Sequence, residues 1–219
     1  MNIVIFGPPG AGKGTQSNFI NKKYNLYQLS TGELLRDEIN KKTSLGSKIS
    51  SIINSGGLVS DEIVGNLIEK YISNKIYKNR LIFDGYPRNF NQAKKLEDLL
   101  IKYDQKIDIA LKLSVSLETI KKRILERKTL EKRADDTEKI AIKRYETYEK
   151  NIKPVTDFYN KYNLLKVVDG EATIAQISDE ISDLINSIKG WLWDIAQYKY
   201  AETNSIIYGS YCRNKHSTK

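Results

Sequence analysis

The sequence is poor in the residues that most side-chain chemistry uses. Its 219 residues include one cysteine, Cys212, and one histidine, His216. A single thiol excludes an internal disulfide and any cysteine-rich zinc site. With no histidine before position 216, neither histidine general-base chemistry nor a Ser-His-Asp set is available there, which disfavours hydrolases. Long apolar runs are also missing. Stretches such as Ile107–Leu113 are short and carry charges, so no membrane-spanning segment is expected. The first residues, Met1-Asn2-Ile3-Val4-Ile5-Phe6-Gly7, lack a basic region and run straight into a glycine loop. They do not read as a signal peptide, and a cytoplasmic setting is the expectation.

Arginine is scarce in a basic chain. Of 36 Lys and Arg residues only eight are arginines, at 36, 80, 88, 123, 127, 133, 144 and 213. The formal net charge of +9 is spread in short clusters such as Lys94-Lys95 and Lys121-Lys122. That pattern reads as a solvated surface and not as a nucleic-acid footprint. Arginine forms bidentate contacts with phosphate that lysine cannot replace, so its few positions are candidate phosphate ligands.

The chain is long enough for one domain with a core, and its 40% hydrophobic and 29% charged content is ordinary for a globular protein. Ile3–Phe6, Leu81–Asp84, Ile109–Leu113 and Leu164–Val168 read as strands, and Tyr27–Leu29 as a weaker one. Helices are predicted over Lys13–Lys23, Asn91–Lys102 and Leu117–Arg127, and over Asp135–Tyr162 with a break near Pro154. A last amphipathic helix, Thr173–Ile188, carries Ile174, Ile177, Ile181, Leu184 and Ile185 on one face. Strands alternating with helices predict an α/β fold with a parallel sheet. Between Thr31 and Ile76 the pattern is helical, which marks an insert.

Gly7-Pro8-Pro9-Gly10-Ala11-Gly12-Lys13-Gly14-Thr15 follows a strand and opens a helix. Glycines let backbone amides turn inward around phosphate oxygens, the helix N-terminus adds positive potential, and Lys13 reaches the β- and γ-phosphates. Gly14 stands where the general P-loop pattern has Ser or Thr, and Thr15 follows it. Asp84 ends a strand at the carboxyl edge of the sheet, where open α/β folds bind ligands; it is a candidate to hold Mg²⁺ through water, or a turn cap. Arg123 and Arg127 are four apart on a predicted helix, so one anion is within reach of both. Asp135 and Asp136 suit helix capping as well as a site role.

Gly-x-Pro-Gly-x-Gly-Lys-Gly-Thr resembles the P-loop of the adenylate kinase family. The resemblance continues through Leu29-Ser30-Thr31-Gly32-Glu33-Leu34-Leu35-Arg36, Gly56-Gly57-Leu58-Val59, and Phe83-Asp84-Gly85-Tyr86-Pro87-Arg88 with Gln92. It ends with Arg123-x-x-x-Arg127, Arg133-Ala134-Asp135-Asp136 and Lys143-Arg144. Six of the seven arginines before the tail fall inside these segments; Arg80 does not.

The resemblance covers about residues 1–187. It implies a P-loop-type five-stranded parallel sheet flanked by helices, an AMP-binding helical insert at about 30–59 and a short lid at about 127–134. It implies reversible phosphoryl transfer between ATP and AMP, giving two ADP, with Mg²⁺ and no zinc. The implied catalytic residues are Lys13, Arg88, Arg123, Arg133 and Arg144. ATP would meet Gly10, Ala11, Gly12, Lys13, Gly14, Thr15, Arg123, Arg127 and Ala172. AMP would meet Thr31, Arg36, Gly57, Leu58, Val59, Gly85, Arg88, Gln92, Arg133 and Arg144. ATP and AMP or ADP would be the only partners, with no nucleic acid, no membrane and a monomeric chain. The lid loop, Lys128-Thr129-Leu130-Glu131-Lys132, matches the short form but lacks that form's usual glycine and serine.

The nearest rival is a UMP/CMP kinase, which tends to have alanine at Thr31 and asparagine at Gln92. A switch GTPase would need Asn-Lys-x-Asp, which is absent from Asn21-Lys22-Lys23-Tyr24 and Asn74-Lys75-Ile76-Tyr77. A nucleotide-binding scaffold without catalysis is a third reading, against which the full set of phosphate ligands argues.

The composition breaks near Ser187–Gly190. Residues 189–219 hold both tryptophans, Trp191 and Trp193, with the lone Cys and His. No phosphate motif lies there, so the segment reads as an appendage to a catalytic domain of residues 1–188. A chain ending at Lys189 should keep its kcat/KM, with a Tm within a few degrees, about the effect of 1 kcal/mol in a domain this size. Insolubility or lost activity would show that the tail belongs to the working protein.

Overall fold

The computed structural model describes residues 1–55, 57, 59–131 and 137–188. The expectations for Gly56, Leu58, Lys132, Arg133, Ala134, Asp135, Asp136 and the tail 189–219 lie outside the described residues. The chain divides into two compact units, Met1–Ile181 and Ser182–Lys219. The first holds the whole sheet; in the second, residues 182–188 are helical.

Five strands, β1 (Ile3–Phe6), β2 (Tyr27–Ser30), β3 (Leu81–Asp84), β4 (Ile109–Ser114) and β5 (Leu165–Asp169), form one sheet in the order β2-β3-β1-β4-β5. Every pairing is parallel. β1 and β3 are buried along their whole length; β1 reads as an uninterrupted apolar run and β3 as one up to Asp84, as central parallel strands do. The edge strands are mixed: Tyr27 is 37% and Val167 58% exposed. In β2 the polar Gln28 and Ser30 interrupt a strand of only four residues, which weakens its sequence signal.

α1 (Lys13–Tyr24) follows β1, and α2 (Thr31–Asn40), α3 (Ser44–Asn54) and α4 (Asp61–Ile72) build the insert between β2 and β3. α5 (Phe90–Lys102) precedes β4, α6 (Leu117–Glu131) and α7 (Glu138–Lys161) precede β5, and α8 spans 174–188. Side-chain caps at Ser30, Thr43, Asn89 and Thr137 start four of these helices.

Three expectations change. α6 does not stop at Arg127 but runs to Glu131, because Lys128-Thr129-Leu130-Glu131 contains no glycine or proline to end it. Pro154 does not break α7, which is continuous over 24 residues. Proline removes one backbone donor, but Ile152, Val155 and Tyr159 on both sides of it are packed into the main core cluster and hold the helix in line. On α8, Ile177 and Ile181 are buried, whereas Ile174 on the same expected face is 65% exposed.

One polar residue ties the amino end of the sheet together. Asn2 is fully buried. Its Oδ1 accepts from the Leu81 amide at 3.1 Å, and its Nδ2 donates to the Lys106 carbonyl at 3.0 Å and to Gln105 Oε1 at 3.3 Å. Gln105 in turn donates to the Ile72 carbonyl and accepts from the Asn79 amide. Asn2→Ala would leave the buried Leu81 amide without its acceptor and should cost about 2 kcal/mol. A thermal melt should show a Tm lowered by about 5 °C, with no change in ligand affinity, since Asn2 lies at the sheet end opposite the site.

Candidate functional site

The carboxyl ends of β1 and β3 open onto a cavity of about 1020 Å³. Its wall carries the glycine loop, Lys13, Arg36, Asp84, Gly85, Arg88, Arg123, Arg127, Arg144 and Ala172. Basic groups from α1, α2, the β3–α5 loop, α6 and α7 thus converge on one space.

The glycine loop shows why its sequence is needed. Gly10 and Gly12 have φ of 84° and 93°, which only glycine adopts without strain. Gly12 caps α1 without any side chain, and the first turn holds no acidic residue, so the leading amides of α1 face outward with their positive end uncovered. Nothing lies within 4 Å of where a Cβ would stand on Gly12 or Gly14. Lys13 folds back over the loop, its Nζ donating to the Gly7 and Pro8 carbonyls at 2.7 and 3.0 Å. Burial between the cleft walls lowers its pKa to about 8; Asp84 opposes that shift, and Arg88, Arg127 and Arg144 add to it.

Arg88 Nε donates to the Gly85 carbonyl at 2.7 Å. Burial in the cleft, then the Arg144 and Arg36 guanidiniums, push its pKa below the ordinary value, while Asp84 opposes. Arg123 Nη2 donates to the Gly170 carbonyl at 3.0 Å. Lys143 Nζ donates to the Ser55 carbonyl at 2.9 Å, and Arg144 Nη2 reaches the Ile53 carbonyl at 3.5 Å, so α7 meets the carboxyl end of α3. A guanidinium of Arg36 lies 3.4 Å from where a Gly32 Cβ would stand, an ordinary contact distance that places Arg36 against the first turn of α2. Arg80, the arginine outside the motifs, instead donates to Asn25 at the end of α1.

Gly57 and Val59 line the cavity, but Thr31 and Gln92 do not. Both are buried and bonded internally. Thr31 Oγ1 donates to the Gly85 carbonyl at 2.9 Å. Gln92 Oε1 accepts from the Arg88 amide at 2.7 Å, and Gln92 Nε2 donates to Asp61 Oδ1 at 2.7 Å. A donor on one side and a carboxylate on the other allow one orientation of the amide.

Sequence reasoning missed Asp61, which reads as an ordinary acidic residue in the first turn of α4. It also missed Gln28, whose Nε2 donates to Asp84 Oδ2 at 3.0 Å. Nothing local marked it: in the ladder Gln28 stands opposite Ile82, and Asp84 pairs with Ser30. Among the described residues no group of three or more His, Cys, Asp or Glu is placed to hold a metal ion.

The model of the family described as adenylate kinase matches residues 5–164. The chain belongs to the adenylate kinase family. It is 44% identical over 211 residues to an adenylate kinase of Pelagibacter ubique, with 84% of this chain and 99% of the relative covered. It is 38% identical over 189 residues to one of Porphyromonas gingivalis, covering 86% and 97%. A Fusobacterium nucleatum adenylate kinase is 37% identical over 207 residues, covering 84% and 98%. An alignment of 211 residues exceeds 84% of a 219-residue chain, so the Pelagibacter relative carries inserted residues that this family member lacks.

The lowered pKa of Lys13 predicts a pH effect. Polyphosphate stabilises the ammonium, so between pH 8 and the ordinary lysine value of 10.5, ATP binding should take up a proton. ATP affinity should fall above pH 8 by up to about tenfold per pH unit. Titration calorimetry at pH 9 in two buffers of different ionisation enthalpy should show the uptake; buffer-independent heats would remove Lys13 from the phosphate site.

Proposed function

We propose that the cavity performs reversible phosphoryl transfer between ATP and AMP. The observation that supports it is the convergence of Lys13 and five arginines, from separate elements, on one space at the carboxyl edge of the sheet. Two polyanions must meet there, and neutralising their charge is the main catalytic demand.

The open amides of the loop from Gly10 to Thr15 would cradle the donor phosphates, with Lys13 on the β- and γ-phosphates. Arg123, Arg127 and Ala172 would hold the rest of ATP. Thr31, Arg36, Gly57, Leu58, Val59, Gly85, Arg88 and Gln92 would hold AMP. A glutamine amide such as that of Gln92 can both donate to and accept from an adenine edge. In transfer, an AMP phosphate oxygen bonds to the γ-phosphorus, and the bond from that phosphorus to the β-γ bridging oxygen breaks. The attacking oxygen is already anionic, so no general base is needed. Lys13, Arg88, Arg123, Arg133 and Arg144 would stabilise the charge on the moving group.

Asp84 fits a Mg²⁺ role. It is a hard oxygen donor on the cavity wall, oriented by Gln28. Magnesium bound with ATP would draw charge from the phosphates, and Asp84 would hold its water. No zinc is needed for this chemistry.

The further reading is a monomeric, cytoplasmic enzyme of the short-lid form, with residues 1–188 as the catalytic domain, that binds neither nucleic acid nor membrane. Among the described residues no helix is long and apolar enough to cross a membrane.

A coupled assay for ADP with AMP, UMP, CMP and GMP as acceptors tests the reading. AMP should give the highest kcat/KM. A higher value for UMP or CMP would move the assignment to the pyrimidine kinase, and no turnover with any acceptor would leave only nucleotide binding.

A further inference from the structure

The turn after β5 is tied down more heavily than a surface turn needs to be. Gly170 N donates to the Ser114 carbonyl at 2.9 Å, and the Gly170 carbonyl accepts from Arg123. A Cβ on Gly170 would stand 2.4 Å from a Val115 methyl, so the turn lies hard against the end of β4. Glu171 adds a bridge to the start of α6. Its Oε1 accepts from the Ser116 amide at 2.7 Å and its Oε2 from Thr119 Oγ1 at 3.1 Å. Its own amide donates to Asp169 Oδ1 at 2.9 Å. These bonds, with the Arg123 charge close by, hold the Glu171 carboxyl below the usual range.

The residues just beyond this tether are on the cavity wall: Ala172, Thr173 and Ile174. Ile174 is 65% exposed there, on a chain whose other α8 isoleucines in the first unit are buried. The exposed apolar side chain of Ile174, on the wall, suits one face of a flat aromatic ring.

We propose that Glu171 is a positioning residue for the nucleoside end of the donor. Its carboxylate clips the 170–174 turn to the first turn of α6. One clip thereby sets the turn that presents Ala172 and Ile174. Glu171 itself touches no substrate. The inference rests on the reading that ATP places its base on this side of the cavity.

Glu171→Ala and Glu171→Gln test it, with inorganic tripolyphosphate as a competitive inhibitor against ATP. Glu171→Ala should raise KM for ATP by about fivefold, the size of one lost hydrogen bond. KM for AMP and the inhibition constant of tripolyphosphate, which has no base, should stay within about twofold, since the phosphate loop is untouched. Glu171→Gln keeps an acceptor for the Ser116 amide and a polar partner for Thr119, and should restore most of the ATP affinity. An unchanged KM for ATP in Glu171→Ala overturns the proposal. So does an equal weakening of tripolyphosphate, or a Gln variant no better than Ala, which would assign the effect to charge on Arg123. If the unmodified enzyme binds tripolyphosphate as tightly as ATP, the base-site reading itself fails, whatever Glu171 does.

Discussion

The constraint on which the structure depends is the gathering of like charge in one cleft. Lys13, Arg88, Arg123, Arg127, Arg36 and Arg144 share one wall. The mutual effect is visible in Lys13 and Arg88, where burial and neighbouring cations both lower the pKa. Such an arrangement opposes folding and is held only because each group is rooted in an element packed elsewhere. Lys13 opens α1 behind the buried β1, Arg88 follows the buried β3, and Arg123 sits one residue before buried Ile124.

The cations are not left bare. Lys13 rests on the Gly7 and Pro8 carbonyls, Arg88 on Gly85, Arg123 on Gly170, and Lys143 on Ser55. Backbone carbonyls are neutral acceptors. A phosphate competes with them for the same donors and wins on charge, because hydrogen bonds between ions are about twice as strong as neutral ones. For Lys13, Arg88 and Arg123 these carbonyl contacts aim the cation without neutralising it. The carboxylates nearby follow a matching logic. Asp84 is oriented by the neutral Gln28, and Glu171 by an amide and a hydroxyl. At the other end of the sheet Asn2 and Gln105 close the amino edge with a buried hydrogen-bond network.

Much of this was legible in the sequence because it is local. A run such as Ile3-Val4-Ile5-Phe6 before a glycine loop and a lysine dictates a buried strand, a tight turn and a helix start within a dozen residues. Arginine scarcity made six positions conspicuous, and five of them line the cavity; the sixth, Arg133, lies outside the described residues. The central strands were clear because they are buried on both faces, and β2 was faint because Gln28 and Ser30 leave it no apolar run. Where local signals conflicted, packing decided. Pro154 predicted a break that the buried side chains on either side of it prevent, and α6 ran past Arg127 for lack of any residue to stop it.

The sequence by itself determined the fold class, the phosphate loop and the arginine set, since those depend on residue type at short spacing. Only the tertiary structure decided which polar groups orient them. Gln28 meets Asp84 across 56 positions, Gln92 meets Asp61 across 31, and Glu171 meets Ser116 across 55. A glutamine or glutamate has no intrinsic preference for such a partner. Its hydrogen bonds are set by whatever donor or acceptor the parallel crossovers bring beside it, and that juxtaposition exists only once the sheet is assembled.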